Sequence, residues 1–143
     1  TAKDTQNNIK LFNEFVVNLV LSDMLENMVE TAAFYAPEES EPDILGLSLT
    51  SSKKVKPPRL TDAPVAIECE RMMSLSLSSE RSILFGRALG VFAKNGLIDD
   101  TTLIVDWSND YPIARLFADR YAEIGRIRRY SIPKPKRAHQ GKD

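Results

Sequence analysis

Residues 65–93, VAIECERMMSLSLSSERSILFGRALGVFA, decide the fold because they contain two long runs of strand-forming residues with a short polar segment between them. Val65 to Leu77 and Ile83 to Ala93 are the two runs, and leucines alternate with serines near the end of the first. Ser78 to Arg81 supplies polar residues suited to a turn. The stretch therefore predicts two long antiparallel strands joined as a hairpin.

Two glycines, Gly86 and Gly90, interrupt the second predicted strand. They lack the third glycine of a dinucleotide-binding fingerprint and do not lie at a strand-to-helix turn. Glycine inside a strand more often permits a bend or the close approach of another backbone. We therefore expect a structural role for both, and Asn95-Gly96 just beyond them predicts a tight turn.

Apolar periodicity predicts helices and strands on both sides of the hairpin. On the N-terminal side these are a helix from Asp4 to about Asn13, a strand over Phe15–Leu21, a helix from Ser22 or Asp23 to about Ala33, a short helix ended by Gly46 and an edge strand over Leu49–Val55. On the C-terminal side they are a short helix over Pro112–Leu116 and strands over Tyr121–Ile124 and Ile127–Ile132, whereas Thr101–Val105 fits either a strand or a helix. The predicted fold class is α+β, with antiparallel strands in a barrel-like sheet.

The composition is that of one globular domain without a strong overall charge. The chain has 143 residues with 19 basic and 20 acidic side chains, a net charge of −1, so charge gives no general attraction to nucleic acid or anionic lipid. No apolar run approaches the roughly 20 residues that cross a bilayer. Residues 134–143 form a basic tail that we expect to be disordered, which leaves 1–133 as the domain. We expect no nucleic-acid partner and no membrane association.

The scarcity of histidine and cysteine excludes several kinds of site. His139 is the single histidine and lies in the tail, and Cys69 is the single cysteine. No metal site and no Ser–His–Asp triad is therefore expected, and any chemistry would rest on carboxylates, hydroxyls, Lys, Arg and Tyr or on an organic cofactor. Cys69 suits a reducing cytoplasm, and we expect a small buried strand residue there rather than a reactive thiol.

The first residues of the chain have the chemistry of an anion site. Lys3-Asp4-Thr5 precedes the first predicted helix, and Asp4 or Thr5 can accept hydrogen bonds from its first free N–H groups. The remaining N–H groups, the positive end of the helix dipole and Lys3 could receive a phosphate. A capped helix start that binds nothing is the alternative that these residues leave open.

Five short segments, in order, resemble the flavin reductase-like family of FMN-binding split barrels. They are K-D-T-x-x-N-I with E-F-V-V-N-L-V over 3–20, the acidic helix before Gly46-Leu47, V-K-P-P-R with A-P-V-A-I-E-C over 55–69, the strand over 86–91, and Y-P-I-A-R-L over 111–116 with Tyr121 and Gly125. The resemblance implies an antiparallel FMN-binding split β-barrel with flanking helices. It covers about the C-terminal two-thirds of the family's domain, so the N-terminal strands of that domain are missing from this chain.

The resemblance also implies a function and a set of binding residues. It implies an FMN-dependent oxidoreductase in which NAD(P)H reduces bound flavin and the flavin passes electrons to an acceptor. It places the FMN phosphate at Lys3, Thr5 and Asn8, with Asp4 orienting the loop. A homodimer is expected as well, since missing strands leave edges and apolar faces that need covering.

Arg115 and Tyr121 are the candidates for contacts with the cofactor or with nicotinamide. The alternative for Arg115 is a surface ion pair with Asp119, and the alternative for Tyr121 is an interface or core aromatic. Phe117-Ala118 departs from the Gly-Gly that the family has after Arg115-Leu116, and Pro42 replaces an aromatic residue.

Two other functions compete with the flavin reductase. One is a non-catalytic binding or structural module, a split barrel that has lost part of the flavin cradle. The other is an oligonucleotide-binding barrel, which the low aromatic content of 8% and the position of the basic residues in the tail disfavour.

Overall fold

The computed structural model describes residues 4–36, 39–78, 81–125, 127–128 and 130–131, and of residue 4 it describes the backbone. The helices are α1 (Asp4–Phe12), α2 (Leu25–Glu30), which follows a 3-10 turn over Ser22–Met24, and α3 (Glu41–Ile44). The strands are β1 (Glu14–Asn18), β2 (Leu49–Thr50), β3 (Arg59–Leu60), β4 (Val65–Ser76), β5 (Ser82–Ala93), β6 (Ala114–Arg115) and β7 (Tyr121–Ala122). No helix in the described ranges is both long and apolar enough to cross a membrane.

The long hairpin predicted from residues 65–93 is the centre of the fold. β4 and β5 pair antiparallel from Val65 opposite Ala93 to Ser76 opposite Ser82. β1 pairs antiparallel with the other edge of β4, so the sheet has the order β1-β4-β5. This confirms the prediction of antiparallel strands in an α+β fold.

We call the two halves of this hairpin the base and the tip. The base is Val65–Arg71 with Gly86–Ala93, and the tip is Met72–Ser76 with Ser82–Phe85. β1 pairs with the base alone, because its ladder ends at Glu14 opposite Glu70.

Burial follows the same division. The buried side chains of β4, namely Val65, Ala66, Glu68 and Cys69, all lie in the base, and Ala63 is buried just before it. Five of the six larger apolar residues of the tip are 43 to 60% exposed, and the sixth, Leu84, is partly buried; the five are Met72, Met73, Leu75, Ile83 and Phe85. The core of the described chain therefore sits where β1 flanks the hairpin.

The glycines of β5 make room for side chains rather than for another backbone, which differs from our expectation. A Cβ built on Gly86 would lie 2.5 Å from Cζ of Phe15, and one on Gly90 would lie 3.2 Å from Cγ of Lys54. The sheet also shifts register between Glu68 and Cys69 and again between Arg71 and Met73. Such shifts bend a strand and increase its twist, so a bend is present near both glycines.

Three predicted elements have other structures because tertiary pairing overrides local preference. Pro112–Leu116 is not a helix, since Ala114 and Arg115 pair with β7 as a strand. The edge strand predicted over Leu49–Val55 is limited to β2, after which the chain leaves the sheet as a loop. Thr101–Val105 forms neither a strand nor a helix, since Asp99 closes a turn and Val105 makes an isolated bridge to Ile98.

Two further predictions differ from the structure: one helix is shorter than predicted, and one strand is absent from the described residues of its range. The predicted helix to Ala33 ends at Glu30. The predicted strand over Ile127–Ile132 is absent from residues 127–128 and 130–131, and its other residues lie outside the described part of the chain. The tail at 134–143 lies outside it as well.

Candidate functional site

Helix α1 presents the described part of the predicted phosphate site. Ile9 is the buried residue of this helix at 6% exposure, and Thr5 and Asn8 lie on its exposed surface one turn apart. The helix begins at Asp4, so Thr5 lies inside the first turn rather than at the cap. Neither Thr5 nor Asn8 makes a side-chain hydrogen bond to the rest of the described chain. Both side chains are thus available to a ligand near the first free N–H groups of the helix.

The other members of the predicted phosphate site cannot be placed. Lys3 lies outside the described residues, and the side chain of Asp4 does too.

Arg115 and Tyr121 lie directly opposite each other in the β6–β7 hairpin. The guanidinium carbon of Arg115 is 5.9 Å from the ring centroid of Tyr121, within the range of a cation–π contact. Arg115 also donates to the carbonyl of Ala118 at 3.2 Å. It forms no ion pair with Asp119, so that alternative for Arg115 is wrong. Tyr121 is half-buried.

The turn of this hairpin explains one departure from the family pattern. Ala118 has φ of +58°, in the left-handed region that favours glycine. The turn is closed by Leu116 N–H donating to Arg120 at 2.9 Å and by Arg120 N–H donating to Phe117 at 3.2 Å. A glycine at this position would adopt the same φ without steric strain, so Ala118 stands where the turn favours glycine.

The two predicted parts of the site lie towards opposite ends of the central sheet. At the tip, Gln6 Nε2 of α1 donates to Ser82 Oγ at 2.7 Å. Beyond the base, Ile113 N–H donates to the carbonyl of Val20 at 2.9 Å and ties the chain before β6 to the end of β1. β4 has 12 residues, so the strand between these two points is about 35 Å long at roughly 3.3 Å per residue. The structure therefore pairs Arg115 with Tyr121, whereas Thr5 and Asn8 lie on a helix that is bonded to the other end of the hairpin.

Glu68 is a polar residue of the base whose role the sequence did not reveal. It is 4% exposed, and its carboxylate accepts from the backbone N–H of Lys53 at 3.0 and 3.1 Å and from that of Lys54 at 2.6 Å. The signal was a carboxylate between the apolar residues Ile67 and Cys69, in the half of β4 that begins with three apolar residues. A buried carboxylate needs hydrogen-bond donors, and here the loop after β2 supplies them.

A cleft of about 210 Å³ lies beside α2. Its lining includes Met24, Met28 and Asn18. Asn18 Oδ1 accepts from Leu60 N–H at 3.1 Å, which explains why an amide interrupts the apolar run of β1.

Two titratable groups outside these sites have shifted pKa values. Burial raises the pKa of the Cys69 thiol, and the residue is a buried strand cysteine as predicted. Hydrogen bonds from the backbone N–H and hydroxyl of Thr102 and from the N–H of Thr101 lower the pKa of the exposed Asp99. Within the described ranges, no three His, Cys, Asp or Glu side chains are grouped so as to hold a metal ion.

The architecture is that of the split-barrel flavoproteins of known structure. A 2-nitrobenzoate 2-nitroreductase from Pseudomonas fluorescens superposes with a TM-score of 0.79 at 32% identity, over 94% of this chain and 68% of that one. Component B of a nitrilotriacetate monooxygenase from Bacillus cereus superposes with a TM-score of 0.80 at 26% identity, over 90% and 65%. A flavoredoxin of Desulfovibrio vulgaris, at 18% identity and a TM-score of 0.76, shares the fold.

Sequence comparison identifies the family to which the chain belongs. The flavin reductase like domain matches residues 1–113, and the chain belongs to that family. An uncharacterized protein of Aquifex aeolicus is 33% identical over 123 residues, which are 86% of this chain and 62% of the relative. The chain thus spans about three-fifths of that relative's length.

Proposed function

We propose that this protein is an FMN-binding oxidoreductase of the flavin reductase type. The observation that carries the proposal is the family match over residues 1–113, in a chain whose predicted phosphate residues Thr5 and Asn8 are exposed and unbonded on α1. Bound flavin would supply the redox chemistry, taking electrons from NAD(P)H and passing them to an acceptor. The protein's own part is to bind and orient the two nucleotides.

Phosphate binding by α1 is the first of these roles. The hydroxyl of Thr5 and the amide of Asn8 would donate hydrogen bonds to the phosphate oxygens, together with free N–H groups of the first helical turn. Lys3 would add a positive charge, and Asp4 would orient the loop before the helix. Riboflavin, which lacks the phosphate, would make none of these bonds.

Arg115 and Tyr121 would contact the second nucleotide or the flavin. Their cross-strand pairing holds the guanidinium against the aromatic ring. Such a pair can offer a flat surface and a positive charge together, as a nucleotide requires.

We further propose a homodimer. In one chain Thr5 and Asn8 lie on α1, which is bonded to the tip, whereas Arg115 and Tyr121 follow the segment that is bonded beyond the base. A second copy of the chain could bring both sets to one cofactor, and the exposed apolar residues of the tip offer it a surface. Sedimentation equilibrium of the parent and of Leu75→Asp at tens of micromolar tests this. We expect a dimer for the parent and a monomer for the variant, and a parent that is monomeric throughout would refute the dimer.

NAD(P)H oxidation by the purified protein, with and without added FMN, tests the proposed activity. We expect oxidation that depends on FMN, at a rate above that of FMN with NAD(P)H in buffer. A rate equal to the buffer rate would refute the activity.

A non-catalytic split-barrel module is the second candidate. The same assay and the visible absorption of the purified protein separate the two. Flavin absorption without NAD(P)H oxidation would favour the module. The cytoplasmic location remains a prediction.

A further inference from the structure

Between β2 and β3 the chain carries a concentrated positive charge. Residues 51–59, SSKKVKPPR, contain three lysines and one arginine and no acidic residue. We call this segment the lysine loop; its lysines are Lys53, Lys54 and Lys56. All three lysines are exposed, whereas Val55 between them is 8% exposed and packs inward. The loop is thus anchored at its middle and presents its charges outward.

Two glutamates of the central sheet hold the backbone of this loop. Glu68 of β4 accepts from the N–H groups of Lys53 and Lys54 at 2.6 to 3.1 Å. Glu14 of β1 accepts from the N–H of Lys56 at 2.8 Å. The carboxylates therefore bind the backbone of the lysine loop rather than its ammonium groups. No ammonium group of the three forms an ion pair with any residue that the structure describes.

Further contacts fix the shape of the loop. Ser52 Oγ donates to the carbonyl of Pro57 at 2.5 Å and closes the loop on itself. The missing side chain at Gly90 leaves room for the stem of Lys54, whose Cγ lies 3.2 Å from the position that a Cβ would take. Arg59 at the end of the loop stacks on Phe92, with its guanidinium carbon 3.5 Å from the ring centroid. The guanidinium group of Arg59 therefore has a partner within the chain, whereas the ammonium groups of the three lysines are accessible to a ligand.

Like charges held close together raise the free energy of the loop unless an anion neutralises them. A preorganised cluster of cations lowers the entropic cost of binding such an anion. Lys53 to Lys56 spans at most about 10 Å of chain at roughly 3.5 Å per residue. That span suits a few phosphate groups of one small molecule better than the broad acidic surface of a protein.

We propose that the lysine loop binds the phosphate groups of the nicotinamide nucleotide. This rests on the proposed function, which needs NADH or NADPH as donor. Lys53, Lys54 and Lys56 would bind the phosphates, while Glu68 acts as a positioning residue that holds the loop in shape. NADPH carries one phosphate more than NADH, so this site favours NADPH.

Calorimetric titration of the purified protein with NADPH, NADH and inorganic pyrophosphate tests the proposal without requiring any flavin. The test variant is Lys53→Gln with Lys54→Gln, and the control of equal charge change is Arg87→Gln with Lys94→Gln, both exposed residues outside the loop. We expect the test variant to bind NADPH roughly five- to thirtyfold more weakly, from two lost charge contacts. The control variant should stay within about twofold of the parent.

Three results would overturn the proposal. They are equal losses in the test and control variants, no binding of NADPH or pyrophosphate by the parent at millimolar concentration, and unchanged NADPH affinity in the test variant. The titration measures nucleotide affinity alone, so its result is separate from the test of the proposed function. A protein that fails to bind FMN can still show that the lysine loop binds NADPH. A protein that is an active flavin reductase can still show that the loop does not.

Glu68→Gln tests the positioning role. It keeps the side-chain shape and weakens the bonds to the loop. We expect weaker NADPH binding with a normal dependence on salt concentration, because the three ammonium groups remain. Loss of that salt dependence would contradict the proposal that Glu68 only positions the lysine loop.

Discussion

The base and the tip of the β4–β5 hairpin belong to the same two strands and yet differ in what covers them. In the base, β1 extends the sheet and the lysine loop is bonded to Glu68, and four side chains of β4 are buried. In the tip, the paired strands continue to Ser76 opposite Ser82, and the larger apolar side chains are about half exposed. Strand pairing alone therefore does not make a residue part of the core, since Leu89 and Val91 of β5 are exposed in the base as well. The buried side chains are those of β4, which lies between β1 and β5.

Removal of the buried carboxylate should have the largest effect on stability. Glu68→Ala leaves the N–H groups of Lys53 and Lys54 without their acceptor and opens a cavity in the base. We expect a loss of about 2–4 kcal/mol in the free energy of unfolding. Urea denaturation measures it, with the exposed Glu70→Ala as the control, which should stay within about 0.5 kcal/mol. Equal losses in both variants would contradict a special role for Glu68.

Thiol labelling should separate base and tip by reactivity. Cys69 is 6% exposed and burial raises its pKa, so both access and thiolate fraction are low. A cysteine introduced as Leu75→Cys, in a Cys69→Ala background, lies in the exposed tip. We expect Cys69 of the parent to react about a hundredfold more slowly than this tip cysteine. Comparable rates would show that the base opens as readily as the tip.

Gly86 tests how tightly β1 packs on the base. Gly86→Ala would place a methyl group 2.5 Å from Cζ of Phe15, so the ring must move, at a cost of about 1–3 kcal/mol. Gly90→Ala is the matched control, because its methyl group meets the flexible stem of Lys54 at 3.2 Å. Gly86→Ala should therefore lower the free energy of unfolding more than Gly90→Ala does. If Gly90→Ala is the more damaging, the account of the two glycines is wrong.

The tip should give the smallest effect. Leu75 is 51% exposed, so Leu75→Ala should change the unfolding free energy of the monomer by less than about 0.5 kcal/mol. The measurement is urea denaturation at a concentration low enough to dissociate the proposed dimer. A loss above 2 kcal/mol under those conditions would mean that the tip is covered within a single chain.

The sequence predicts the central hairpin well because its signals are local. Long runs of strand-forming residues and a polar turn indicated β4 and β5 to within one residue at either end of the pair. The apolar run after Asn13 likewise indicated β1. In each case the pattern is set by the strand itself and needs no knowledge of its neighbours.

Elements that depend on distant partners were not predictable in the same way. Arg115 is in a strand because Tyr121 pairs with it, although Pro112–Leu116 by itself favours a helix. Ser51 to Val55 leaves the sheet, and Glu68, 14 or 15 residues away in sequence, holds the backbone of Lys53 and Lys54. The candidate site shows the same difference. The sequence names Arg115 and Tyr121 together as candidates, and the structure pairs them across β6 and β7. The role of Glu68 is visible only in the structure, because its partners lie in a distant loop.

Binding of FMN and riboflavin to the parent and to Thr5→Ala, followed by fluorescence quenching, tests the central claim most directly. Thr5 would donate a charge-assisted bond worth about 1.5–3 kcal/mol to the phosphate, so FMN affinity should fall roughly tenfold to a hundredfold in the variant. Riboflavin should bind parent and variant almost equally. Equal losses for both flavins, or no loss for either, would contradict the account and leave α1 as a helix start without a ligand.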